Sequence, residues 1–137
     1  MRKTYKFKAI VSETTAKNAE NWLWACQQLY NTCLEQRILI YKQHKAGISK
    51  YDQMSQLPEL KAAFPEFKAV GSQVLQDVVE RVDKAYQAFF SRIKRVETPG
   101  FPRFRSASRY DSFTLKQAGW KLAPDGKLRN AKGEAFE

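Results

Sequence analysis

Nothing in these 137 residues approaches the run of roughly 18 apolar side chains that a membrane-spanning helix needs. The opening Met1-Arg2-Lys3-Thr4-Tyr5 also lacks the apolar core of a secretory signal, and no helical stretch pairs an unbroken basic face with a free apolar one. A cytoplasmic protein without membrane contact is therefore expected. Histidine is almost missing, since His44 stands alone between Lys42 and Lys45 in a polar helix end that suits a solvated side chain. Cysteine is limited to Cys26 and Cys33, two turns apart on one expected helix, too far for a disulfide and without a CxxC to begin a zinc site. They read as small buried hydrophobes. Glycines stand singly, so no phosphate-cradling loop exists. No aspartate follows an apolar strand as a two-metal nuclease requires, and Glu13, Glu20, Glu35, Asp52 and Asp77 are spread as helix-surface charges. Acid itself is scarce, with 14 Asp and Glu against 24 Lys and Arg and a formal net charge of +10. These shortages argue against an enzyme and leave a polyanion as the natural partner.

What the chain has instead is a segment in which rings and cations alternate. Phe89-Phe90-Ser91-Arg92-Ile93-Lys94-Arg95 leads to Gly100-Phe101-Pro102-Arg103-Phe104-Arg105, and then to Arg109, Tyr110 and Phe113. From Phe89 to Lys121, eight Lys and Arg side chains face only Glu97 and Asp111. Cations neutralise phosphates and release counterions, while rings and guanidinium planes stack on unpaired bases. Simpler roles compete at particular positions. Arg92, Lys94 and Arg95 also suit the negative end of a helix dipole, and Phe101, Pro102 and Phe104 also suit packing between two parts of a fold.

Periodicity organises the rest. Lys3 to Val11 alternates, with Tyr5, Phe7, Ala9 and Val11 opposite Lys6 and Lys8, and predicts a half-buried strand with a basic outer face. Ser12-Glu13-Thr14-Thr15 offers caps for a long amphipathic helix through Trp22, Leu23, Cys26, Tyr30, Cys33, Leu34, Ile38 and Tyr41, ending before Gly47. Ser49 caps a short turn, Leu57-Pro58-Glu59-Leu60 starts another, and Pro65 stops it. A second long helix runs from Ala69 through Val74, Leu75, Val78, Val79, Val82, Tyr86, Phe89 and Ile93, with Ser72 as its cap. Thr98-Pro99-Gly100-Phe101-Pro102 breaks it, and short strands are expected at Ser112 to Leu115, at Trp120 to Leu122 and after the turn Pro124-Asp125-Gly126. The expected fold is α+β and mainly helical: a helical lobe inserted between an N-terminal strand and C-terminal strands that join in one small sheet. At the second long helix, Ser72, Gln73 and Gln76 are polar side chains near a helix start. Glutamine reads adenine in a major groove and helix N-termini sit against phosphate, but capping and solvation account for the same residues.

Several of these segments, in their order and spacing, resemble the N-terminal part of the TnpB/OrfB family of insertion-sequence transposase-like proteins. The resemblance rests on Tyr5-Lys6-Phe7-Lys8, Leu29-Tyr30-Asn31-Thr32-Cys33-Leu34-Glu35, Leu57-Pro58-Glu59-Leu60-Lys61, Ser72-Gln73-Val74-Leu75-Gln76, Asp83 to Phe90, Gly100 to Arg105 and Ser112-Phe113-Thr114. It spans nearly the whole chain, and Gly-Phe-Pro-Arg-Phe after Ala-x-x-x-Phe-Phe is its most specific part. It implies an RNA-guided DNA endonuclease related to miniature type V CRISPR effectors. Residues 1–13 would then be a strand of a small, incomplete β-barrel-like wedge sheet, 14–96 a helical recognition lobe (the family's helix-turn-helix region), and 97–137 the basic aromatic loop and returning strands. The resemblance places contacts to the target-adjacent DNA duplex on Tyr30, Asn31, Lys68, Ser72, Gln73 and Gln76. It places guide-RNA and heteroduplex backbone contacts on Lys6, Lys8, Arg92, Arg103, Arg105 and Arg109. Guide RNA and target DNA are the implied partners, together with a transposase partner or the nuclease domain. No cofactor is expected in this chain, because the divalent metal of the RuvC-like nuclease and the zinc of its ribbon belong to domains these residues lack. A stand-alone regulatory or protein-interaction module derived from such a transposase is the alternative.

Overall fold

A computed structural model describes residues 4, 6, 8, 10–45, 47–68, 70–95, 100–106 and 109–114 with their side chains, and the backbone alone at 120–122, 128–130 and 135–136. In chain order the helical elements are α1 (Glu13–His44), α2 (Lys50–Ser55), α3 (Leu57–Ala63), a single 3-10 turn (Pro65–Phe67) and α4 (Ser72–Lys94). α1 begins where the Ser12 hydroxyl accepts the Thr15 N–H (3.2 Å). It ends where Lys45, left-handed at φ 54°, donates its N–H to the Tyr41 carbonyl (2.8 Å). Between these caps Trp22, Ala25, Cys26, Leu29, Tyr30, Cys33 and Leu34 recur at three- and four-residue spacing and are buried. The facing stripe of α4 buries Val74, Leu75, Val78, Val79, Val82 and Tyr86.

Contacts advance in the same sense along both long helices. Cys26 lies in the field of Asp77 and Arg81, while further on Arg37 pairs with Asp83 (3.2 Å) and sits over the Tyr86 ring (5.1 Å). α1 and α4 therefore lie side by side in one direction, and the chain has to travel back between them. α2, α3 and the 3-10 turn make that return. α2 opens on a capping box between Ser49 and Asp52, Pro58 sits in the first turn of α3, and Pro65 ends it. Gln53 of α2 is buried; its amide donates to the Cys33 carbonyl (2.9 Å) and to Gln36 Oε1 (3.2 Å) and accepts from Arg37 Nε (2.9 Å). One guanidinium thus ties α1, α2 and α4, and the buried amide is satisfied at both ends. α4 starts one residue differently from the expectation: Gly71 is its N-cap, and Ser72 is the first helical residue rather than the cap.

The expected sheet is not there. Thr4, Lys6, Lys8 and 10–12 carry no strand, and no strand occurs among the described residues up to Thr114. Tyr5, Phe7, Ala9 and Leu115, which the strand assignments also used, lie outside the described residues, as does the turn Pro124-Asp125-Gly126. Beyond Thr114 the regular backbone is three strands of two or three residues, β1 (Trp120–Leu122), β2 (Leu128–Asn130) and β3 (Ala135–Phe136), paired antiparallel only with one another. Among the described residues no N-terminal strand joins them, so the helical body is not inserted in a barrel-like sheet, and the α+β expectation is replaced by a helical one. The physical reason is partnership. An alternating segment becomes a strand only when a neighbour takes its backbone hydrogen bonds and its apolar face, and here Val11, on the face expected to be buried, is left 38% exposed.

Among the described residues no helix is long and apolar enough to cross a membrane. Both cysteines are free and buried on α1. Burial pushes the Cys26 thiol from 9.0 up to about 12, against the pull of Arg81, and the Cys33 thiol up to about 11, against Arg37. A raised thiol pKa means that the fold favours the protonated form. The associated stability is complete below about pH 9 and is lost as pH climbs through the folded values. Thermal unfolding is therefore expected to weaken above about pH 9, and Cys26→Ala with Cys33→Ala should flatten that fall. The residual fall at higher pH comes from the tyrosines that burial raises, Tyr110 to about 12 and Tyr86 in the same direction. A pH profile unaltered by the two substitutions contradicts the assignment.

Candidate nucleic-acid interface

Two parallel helices leave a groove along their shared side, and the residues after α4 lie along it as a strap. It leaves the C-terminal end of α4 at Phe101, whose ring meets Tyr86 edge-on (centroids 5.6 Å) and Phe89 (5.3 Å). It then crosses α1 at Arg105. The Arg105 carbonyl accepts from Gln27 Nε2 (2.8 Å) and Asn31 Nδ2 (2.9 Å), and its N–H donates to Asn31 Oδ1 (2.8 Å). Asn31 therefore grips both backbone groups of one residue, as a neighbouring strand would. After a turn in which Arg109 and Tyr110 donate to the Ser106 carbonyl, Tyr110 enters the core against Tyr30 (5.9 Å). Phe113 then reaches Trp22 (5.4 Å) near the start of α1. Direction is what makes this possible: a strap leaving the end of α4 runs back along both helices, as far as Arg81 on α4 and Trp22 on α1.

Arg81 fastens the far half. It pairs with Asp77 (2.9 Å), donates to the Ser112 carbonyl (2.8 Å), to Thr114 Oγ1 (3.1 Å) and to the Tyr110 hydroxyl (3.3 Å), and lies over the Tyr110 ring (5.5 Å). Burial raises the Tyr110 hydroxyl to about 12, with the cation opposing the shift, so the phenol stays protonated and available to the strap.

The near half of the strap points its charge outward. Arg103, Arg105 and Arg109 are exposed, and the Arg105 guanidinium sits over the Tyr30 ring at 5.1 Å. Among the described residues no carboxylate ion-pairs with any of the three, whereas the cations of the interior, Arg37 and Arg81, each hold an aspartate. Arg92 is exposed in the last turn of α4, and Lys6 and Lys8 are exposed before α1. Phe101 packs at the junction, while Phe104 stays 55% exposed between the arginines.

The residues assigned to duplex DNA fall into two groups. Tyr30 is 2% exposed, and Asn31 gives its amide to the Arg105 backbone; both serve the strap. Lys68, Ser72, Gln73 and Gln76 gather at the start of α4, where Ser72 Oγ accepts a hydrogen bond from Lys61 Nζ and Lys68 and Gln76 face solvent. Gln27, Arg81 and Tyr110 were not among the expected site residues. Gln27 carried a readable signal, a polar residue inside the apolar stripe between Cys26 and Leu29, where a buried amide must have a partner. Arg81 gave none, because every one of its acceptors except Asp77 lies about 30 residues away in sequence.

Among the described residues no group of three His, Cys, Asp or Glu side chains is placed to hold a metal ion. No protein-family model matches the chain, and no curated protein matches it. Two outcomes check the strap itself. Arg81→Ala should cost about 2–3 kcal/mol in urea unfolding, since Asp77 and three strap acceptors lose a charged donor; a cost within error of zero contradicts its role. Gln27→Ala with Asn31→Ala should speed trypsin cleavage after Arg105 about tenfold or more by freeing the local backbone while the fold persists. An unchanged cleavage rate means that the clamp does not hold the strap.

Proposed function

We propose that the chain is a nucleic-acid-binding module that performs no chemistry itself and grips the backbone of an RNA strand or RNA–DNA heteroduplex through Arg103, Arg105 and Arg109. The observation that carries this reading is the clamp at Arg105: its main chain is held by Gln27 and Asn31 while its guanidinium remains at the surface. An interior ion pair consumes a cation, but a tethered, exposed arginine is already ordered for a phosphate and loses less entropy on binding. The net charge of +10 supplies the long-range attraction.

The resemblance to the TnpB/OrfB family supports a narrower identity, with guide RNA and target DNA as the partners and the cytoplasm as the setting. On this reading Arg92, Lys6 and Lys8 extend the backbone contacts, and Lys68, Ser72, Gln73 and Gln76 face the target-adjacent duplex. Cutting, with its divalent metal and zinc ribbon, belongs to a RuvC-like nuclease outside these residues.

The test is a salt series of RNA affinities. Arg103→Ala with Arg105→Ala should weaken binding whatever the RNA sequence and lower the log–log salt slope by about 1.4 for a single strand, roughly 0.7 for each phosphate no longer neutralised. Unchanged affinity and slope remove these arginines from the interface.

A further inference from the structure

At the C-terminal ends of α1 and α4, away from the clamp, lies an open cleft of about 800 Å³. Six aromatic rings and three isoleucines line it, with no leucine or methionine. Its charged lining is Arg37, Lys42 and Lys50 against one carboxylate among the described residues, Asp83, which Arg37 already neutralises. Tyr41, Tyr51, Phe90 and Ile93 are each about half exposed or more, at 59%, 71%, 50% and 48%. Two of the rings are built alike. The Lys45 ammonium lies 5.4 Å from the Tyr41 ring centre and the Lys50 ammonium 5.3 Å from that of Tyr51. Lys45 is carried there by the left-handed backbone that closes α1.

We infer that this cleft receives unpaired bases of a single nucleic-acid strand. A groove for a partner helix favours long flexible aliphatic side chains, whereas this lining is mostly flat, like the faces of bases. Each lysine–tyrosine unit sets a stacking surface beside a cation, the two things a nucleotide offers to meet. The charge balance at the rim excludes a cationic partner and fits phosphates. Phe101 connects the two sites, because it lines the cleft and stands two residues before Arg103 of the strap. A strand held along Arg103–Arg109 therefore continues into the cleft. This inference rests on the proposed nucleic-acid reading and adds to it a preference for unpaired over paired strands.

The experiment compares a fluorescent ten-nucleotide oligouridylate with a blunt RNA duplex of about the same length, measured by anisotropy on the whole chain. Tyr41→Ala with Tyr51→Ala removes two exposed rings that the core does not need, and circular dichroism confirms the fold. The dissociation constant for the single strand should rise about tenfold or more while that for the duplex moves less than about twofold, with the salt slope unchanged. Equal losses on both RNAs, or none, overturn the cleft assignment and leave the strap reading standing. Failure of the unsubstituted protein to bind either RNA overturns both. A self-association that the same pair abolishes, or tight binding of an acidic helical Glu/Leu peptide with single-strand affinity unchanged in the variant, assigns the cleft to a protein and also overturns it.

Discussion

The shared direction of α1 and α4 is the constraint on which everything else depends. Two helices joined in sequence most simply pack antiparallel; a parallel pair needs a return path, and α2, α3 and the 3-10 turn provide one. It also sends the chain leaving α4 back over the pair, so that its contacts pass from Phe89 of α4 to Asn31 and then Trp22 of α1. Two arginines stabilise this arrangement. Arg37 joins α1 to α2 and α4, and Arg81 joins α4 to the strap. Each sits with an aspartate and over a tyrosine ring, so the cation is compensated from two sides.

The same economy separates charge compensated within the fold from charge left exposed. Arg37 and Arg81 satisfy their donors inside the protein, while Arg103, Arg105 and Arg109 expose theirs. A net positive charge by itself would only favour polyanions in general. Holding Arg105 by its backbone converts part of that charge into a surface of defined shape. The exposed Phe104 and the aromatic cleft beyond Phe101 add flat apolar area next to it.

Both long helices were legible in the sequence, since Trp22 to Leu34 and Val74 to Tyr86 repeat with helical spacing over several turns and the capping residues Ser12 and Ser49 mark starts. The strand at Lys3 to Val11 was not a sound inference. Alternation describes what a strand could bury, but a sheet neighbour decides whether it does, and the only strands among the described backbone pair with each other. Of the site, the row of arginines was visible because composition alone reveals it. Its placement was not. The Arg105 clamp joins residues more than 70 positions apart, and no local pattern links Gln27 and Asn31 to a loop beyond the second long helix. Tyr30, which helical spacing placed in the apolar stripe and the family resemblance against duplex DNA, is the buried floor under Arg105.

The central claim is that the strap forms the nucleic-acid surface, and photocrosslinking tests it most directly. RNA carrying 4-thiouridine is bound to the whole chain, irradiated, and the attached peptides are identified by mass spectrometry. The account predicts crosslinks concentrated in residues 100–110 and abolished together at high salt. Crosslinks that avoid both this segment and the cleft beyond Phe101 and fall instead on α3, with binding intact, would contradict it.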